Sequence, residues 1–281
     1  MDKLYHNVTY KISKLITKEY STSFSTAVGF LRRDQQLAVY SIYGFVRYAD
    51  EIVDTFHDID KKHFLETFEK EYYQAVKSGV SLNPVIHSFQ LTVRKYQIDD
   101  ELIRAFLRSM KADLHKTRYT DESEINEYIY GSADVVGLMC LKVFVNGDES
   151  LYKQLRVPAM RLGSAFQKVN FLRDLKKDTE QLNRQYFPEL VNGILTDGIK
   201  TKIIQNIQHD FNESYQGIQS LPGRSKLAVM IAYNFYKTLL RKIQKRPAQM
   251  IMASRIRISG ARKTLLFLKV YFSYILNLNY I

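Results

Sequence analysis

The chain has 281 residues, 46% of them hydrophobic and 25% charged, with five prolines and twelve glycines. That composition is globular, excludes a disordered or collagen-like chain and leans towards helix. Its single cysteine excludes an intramolecular disulfide. The net charge of +12 has a local origin, because the segment from Ser214 onward holds twelve Lys or Arg and no Asp or Glu.

Apolar residues recur at helical spacing almost throughout, and no run keeps up strand alternation. The periodicity predicts helices over about 2–18, 21–31, 35–57, 60–78, 84–96, 99–116, 122–146, 148–180, 198–219, 224–245 and 247–279. Asn83-Pro84 opens one of them, Asp99 and Asp148 read as caps or first-turn acids, and Pro158 is expected to kink or restart its helix. Pro188 and Pro222-Gly223 mark turns. With no linker, low-complexity tract or composition break, one all-α domain over 1–281 is the simplest organisation. The N-terminus lacks an apolar signal core. The best spanning candidate, Leu265 to Ile281, is short and interrupted by Lys269, Asn277 and Asn279. Cys140 lies in the apolar run Val135 to Val145 and reads as a buried thiol suited to a reducing compartment.

Early in the chain, Ser21-Thr22-Ser23-Phe24-Ser25 offers hydroxyls that can cap a helix or donate to phosphate. Tyr40 to Phe56 then carries an apolar stripe of Ile42, Val46, Ala49 and Val53, with Arg47, Asp50 and Asp54 beside it. Two acidic residues at i, i+4 have Cβ atoms roughly 6 Å apart and repel unless a cation sits between them. A hard divalent ion with oxygen ligands, Mg²⁺ or Mn²⁺, suits that position. Gly131, Ser132 and Gly137 punctuate the apolar segment from Tyr128 to Met139, for close packing or for a ligand. From Gly163 to Asp178, the side chains of Gln167, Asn170, Asp174 and Asp178 share an arc of about 80° at 100° per residue. Leu162, Phe166, Val169 and Leu172 form a separate apolar arc. Asn183-Arg184-Gln185-Tyr186-Phe187-Pro188 is a polar-aromatic turn that could form a flap. Arg184, Arg257, Arg262 and Lys263 are candidate phosphate partners. Six scattered histidines without ligand spacing argue against zinc.

Two D-x-x-x-D motifs, each bordering an apolar stripe with an arginine close by, point to a metal-and-diphosphate site at the mouth of a helical cavity. The segments Y-S-T-S-F at 20–24, R-Y-A-D-E-I-V-D at 47–54, Y-G-S-A-D-V-V-G at 130–137, A-F-Q-K-V-N-F-L-R-D-L-K-K-D at 165–178 and R-Q-Y-F-P at 184–188 resemble those of the squalene/phytoene synthases. These are head-to-head trans-prenyltransferases with an all-α isoprenoid synthase fold, a helical bundle around an apolar cavity. The likeness is greatest to the bacterial phytoene synthases. It implies that Asp50, Asp54, Asp174 and Asp178 hold Mg²⁺ on the substrate diphosphate, and that Gln167 and Asn170 line the same site. Ser21, Ser23, Arg47, Arg173, Arg184 and Arg262 would hold diphosphate or order the carboxylates, and Tyr130 would sit near the carbocation. The implied reaction joins two geranylgeranyl diphosphates to phytoene through prephytoene diphosphate. The alternative is a C30 enzyme acting on farnesyl diphosphate to give dehydrosqualene, squalene or hydroxysqualene.

The chain departs from the family where Asn183 replaces a frequent Gly and where Asp134 adds an acid near the presumed cavity. A rival of another class is a non-catalytic basic helical protein bound to membrane or nucleic acid. The acid stripes argue against nucleic acid. Prenyl substrates and the basic, aromatic C-terminus lead instead to an expected cytoplasmic protein in peripheral contact with membrane lipid. The oligomeric state is not legible.

Overall fold

Caps and apolar faces set the helix ends. The computed structural model describes residues 3–56, 58–190, 194–253 and 255–276. Its helices are α1 Lys3–Tyr20, α2 Thr22–Val28, α3 Arg33–Asp54, α4 Lys61–Ser78, α5 Pro84–Tyr96, α6 Asp100–Ala112, α7 Glu122–Ile129, α8 Val135–Val145, α9 Glu149–Glu180, α10 Asp197–Gln219, α11 Gly223–Gln244, α12 Ala248–Ala253 and α13 Gly260–Ile275. Among the described residues there is no strand beyond an isolated bridge between Arg118 and Gln185. The all-α expectation holds. Asn83 accepts the amide hydrogens of Val85 and Ile86, and Asp148 accepts that of Leu151. Asp99 precedes α6 without a side-chain capping bond and lies instead 3.4 Å from Lys142 Nζ.

Four sequence expectations are corrected. The stretch 122–146 is not one α-helix, because Tyr130–Asp134 form a π turn between α7 and α8. There a Cβ on Gly131 would lie 2.8 Å from Ser109 Cβ, so the backbone is pressed against α6. The segment Glu122–Val145 is long enough to cross a bilayer and contains an apolar 18-residue stretch, yet 67% of that stretch is buried inside the protein. The helix predicted over 99–116 ends at Ala112. Pro158 does not restart its helix, since α9 runs through it for 32 residues. Its ring fits against Gly217 of α10, where any Cβ would come within 2.2 Å of Pro158 Cβ. The predicted 247–279 helix is split into α12 and α13, with non-helical chain over 255–259 between them. The predicted ends at 2, 57 and 277–279, with Asn277 and Asn279, lie outside the described residues.

Two apolar cores pack side by side. In the first, Phe45 of α3 is fully buried and stacks on Phe89 of α5 with ring centroids 4.0 Å apart, beside Phe68, Tyr72 and Phe106. In the second, Ile207 and Phe211 of α10 meet Ile231 of α11 and Val169 and Leu172 of α9. Helix α1 is inverted, burying Thr9, Ser13 and Thr17. Ser13 hydrogen-bonds to Ser88 at 2.8 Å, and a Cβ on Gly44 would sit 3.0 Å from Ser13 Oγ. Small hydroxyl residues thus bring α1, α3 and α5 close together, with their polar groups satisfied.

Candidate active site

Between the two cores lies a cavity of about 620 Å³. Its lining follows the run of α3 and α9. Near the C-terminal ends of these helices it is polar, with Arg47, Asp50 and Asp54 from α3 and Gln167, Asn170, Arg173, Asp174 and Asp178 from α9. About one to three turns earlier along the same helices the wall is apolar, with Val39, Leu155 and Leu162, joined by Leu31, Phe144 and Leu221. The polar arc of α9 therefore faces inward, as its core-like spacing requires, towards a cavity in place of a packed partner.

The two acid motifs feel each other across this space. Burial, repulsion from Asp54 and the charge of Glu51 outweigh Arg47 and push the Asp50 carboxyl up to about 6. Burial and repulsion from Asp174 and from Asp54 of the facing helix push Asp178 up to about 7. Arginines balance the other acids. Arg47 donates to Asp50 at 2.5 Å and to Glu51, and its guanidinium lies 4.2 Å from the Tyr20 ring centroid. Arg184 donates to Asp54 at 2.6 Å, and Arg173 pairs with Asp174. Arg255, just beyond α12, reaches Asp174 at 2.7 Å. Asp178 makes no ion pair among the described residues.

A buried polar-aromatic wedge supports this end. Arg184 is 6% exposed and also donates to the Asp113 carbonyl at 3.2 Å and to Tyr186 Oη at 3.4 Å. Tyr128 Oη donates to Asp113 at 2.8 Å, and burial pushes the Asp113 carboxyl up to about 7 against the pull of Arg184. Phe171 of α9 stacks on Tyr186 at 4.0 Å. The expected flap at 183–188 is therefore an embedded turn. Asn183 takes a left-handed φ of 51° there, a conformation Gly and Asn tolerate best.

The cavity brings together Ser21, Arg47, Asp50, Asp54, Gln167, Asn170, Arg173, Asp174, Asp178 and Arg184, but not Ser23, Tyr130 or Arg262. Ser21 mainly caps α2, accepting the Phe24 amide hydrogen. Tyr130 packs against the first core, and Tyr128, two residues earlier on α7, lines the cavity. Arg262 is exposed on α13, and the nearby Lys263 donates to Thr22 Oγ1 at 2.9 Å. Asp134 is buried outside the cavity wall and accepts from Ser164 Oγ at 2.8 Å. The sequence reading missed Arg255, Tyr20, Tyr43, Tyr128, Lys177 and Tyr236, which also line the cavity. Burial, together with Asp50 and Tyr236, pushes the Tyr43 hydroxyl up to about 12 despite Arg47, so it stays protonated.

The donor set fits a hard divalent cation. It offers carboxylates from two facing helices, two of them raised by burial and by repulsion from neighbouring carboxylates, and Asn170 Oδ1 is buried at the same wall with no hydrogen-bond partner. Among the described residues, no three His, Cys, Asp or Glu side chains converge into a closed metal cage. An open set of this kind suits Mg²⁺, which takes one or two carboxylates and completes its shell from water and phosphate.

The family model described as squalene/phytoene synthase matches residues 17–194. A phytoene synthase of Arthrospira platensis is 26% identical over 264 residues, covering 84% of each chain. A 15-cis-phytoene synthase of a Synechocystis species is 25% identical over 84% of this chain and 76% of its own. The chain spans 60% of the length of a chloroplastic phytoene synthase 1 of Zea mays, at 27% identity. Among solved structures, a dehydrosqualene synthase in complex with ligand has a TM-score of 0.81 at 21% identity, covering 97% of this chain and 98% of its own. A squalene synthase of Alicyclobacillus acidocaldarius has a TM-score of 0.74 at 19% identity, covering 91% of this chain and 98% of its own. These two likenesses establish the helical isoprenoid synthase fold, and with the match over 17–194 they lead to one conclusion: the chain belongs to the squalene/phytoene synthase family.

Proposed function

We propose that this chain, acting as one domain over 1–281, is a Mg²⁺-dependent prenyltransferase that condenses two geranylgeranyl diphosphates head to head into phytoene. The observation that carries the reading is the pair of acid motifs on α3 and α9, facing each other at the polar end of one apolar cavity. Asp50, Asp54, Asp174 and Asp178 would hold Mg²⁺, which supplies Lewis-acid stabilisation of the departing diphosphate. Arg47, Arg173, Arg184 and Arg255 neutralise the carboxylates without substrate, and are placed to share their hydrogen bonds with diphosphate oxygens. Gln167 and Asn170 extend that polar rim.

Below the rim, the apolar wall buries the prenyl chains and excludes water, which would quench an allylic cation. Phe24, Tyr43, Phe166, Phe171 and Tyr236 turn aromatic groups to the same space and favour positive charge there. Ionisation of one substrate and attack by the double bond of the other give the cyclopropyl prephytoene diphosphate. Loss of its diphosphate, ring opening and loss of a proton give the hydrocarbon. Tyr128 Oη, donating to Asp113, lies on the wall near the acids and is the tyrosine we place nearest the cation.

Cavity depth favours the C20 substrate. Lining residues run along α9 from Asp174 back to Leu155, about 28 Å of helix at 1.5 Å per residue. An isoprene unit adds four backbone bonds, so a C20 chain extends about 20 Å and a C15 chain about 15 Å. The structural likeness to a dehydrosqualene synthase keeps the C30 reaction as the second reading. Asp50→Asn and Asp174→Asn should each lower Mg²⁺-dependent hydrocarbon formation by at least 10²-fold while leaving helical circular dichroism unchanged. Parental turnover in either variant contradicts the metal-site reading.

A further inference from the structure

The outward face of α13 has no role in the cavity. Leu265, Leu268, Phe272, Ile275 and Leu276 are 68, 41, 57, 57 and 63% exposed. On a helical projection they fall in one arc of about 100°. Exposed Arg262 and Lys269 border that arc. The inward side chains Leu266, Phe267, Val270 and Tyr271 belong to the second core, and Phe267 stacks on Phe30 with centroids 4.6 Å apart. The helix is therefore apolar on both sides, and one side is paired.

We propose that the outer face of α13 is a docking surface for an anionic lipid bilayer. Three observations select this occupant. The chain from Ser214 onward has twelve Lys or Arg and no acid, so the segment that carries the patch has only positive formal charge, which complements anionic headgroups. An amphipathic helix with large apolar side chains bordered by basic ones lies in a membrane interface. A second copy is a poor occupant. The strip is about 17 Å long and offers five side chains, against about 20–30 residues a side in a stable dimer. A two-fold contact would also oppose like charges. The partner follows from the prenyltransferase reading, in which lipid substrate and hydrocarbon product must cross between cavity and bilayer. Helix α13 packs on α11, whose Val229, Ala232 and Tyr236 line that cavity, so docking would bring this cavity wall to the membrane.

The test is co-sedimentation of the full chain, without substrate or Mg²⁺, using phosphatidylcholine vesicles with and without phosphatidylglycerol. Because no turnover is read, the result does not depend on whether the catalytic reading is right. Binding should require phosphatidylglycerol and weaken with salt. It should fall at least tenfold in the double variant Leu268→Ser, Phe272→Ser, and about fivefold in Lys269→Gln. Thermal melting of the same samples checks that the variants fold, and turnover of soluble diphosphate by the double variant should match the parent. Absence of binding to anionic vesicles overturns the proposal, as does undiminished binding of a folded double variant. A concentration-dependent dimer that the double variant abolishes, with no vesicle binding, replaces it with a second copy.

Discussion

Replacing Ala159 with Phe should convert the substrate preference from C20 to C15. Ala159 lines the cavity on α9, fifteen residues before Asp174, or about 22 Å along the helix. A metal bridging carboxylate and diphosphate adds about 4 Å. The tip of a C15 chain then lies about 19 Å from Asp174 and that of a C20 chain about 24 Å, using roughly 5 Å per isoprene unit. A benzyl side chain at 159 falls between the two. The terminal unit of the C20 chain, five carbons at ~0.8 kcal/mol each, loses about 4 kcal/mol of burial. Steady-state kinetics with each diphosphate should therefore show kcat/KM for C20 lowered by about 10²- to 10³-fold, with C15 within about threefold of the parent value. The added ring enters open space, so the melting temperature should hold. A folded variant with parental C20 kinetics refutes the depth argument.

Two further outcomes follow from particular residues. Arg184→Gln leaves Asp54 and the Asp113 carbonyl without their buried donor. It should cost about 3 kcal/mol, read as a melting temperature lower by about 6 °C. Asp134 is buried, and burial together with the charge of Asp210 holds its carboxyl near 7 against Ser164, Lys168 and Arg161. Its folded pKa exceeds the unfolded one, so the native state keeps the proton; this contribution is complete below about pH 4 and is lost as pH rises through 7. Asp134→Asn should therefore gain about 2–4 kcal/mol relative to the parent between pH 5 and 8 in chemical denaturation, and a pH-independent difference contradicts the assignment.

Much of the site was legible because the helix repeat converts spacing into direction. Asp50 with Asp54, and Asn170 with Asp174 and Asp178, needed only 100° per residue to share a face, and the cavity places both faces inward. The all-α fold was legible for the same reason. Arg255 was not, because it lies on non-helical chain between α12 and α13, where helical periodicity carries no direction. That same break separated one predicted helix into two. The π turn was equally hidden. Tyr130 opens that turn and packs against the first core, while Tyr128, on α7 before it, lines the cavity. Pro158 misled because helix breaking is a local rule, whereas the Gly217 backbone that receives its ring comes from α10, about sixty residues later in the chain.

The most direct measurement offers the purified protein equal farnesyl and geranylgeranyl diphosphate with Mg²⁺ and identifies the hydrocarbon by mass spectrometry. Phytoene as the dominant product, with prephytoene diphosphate accumulating when turnover is slowed, is the predicted result. A C30 hydrocarbon from farnesyl diphosphate alone contradicts the C20 assignment, and no head-to-head product from either substrate contradicts the reaction itself.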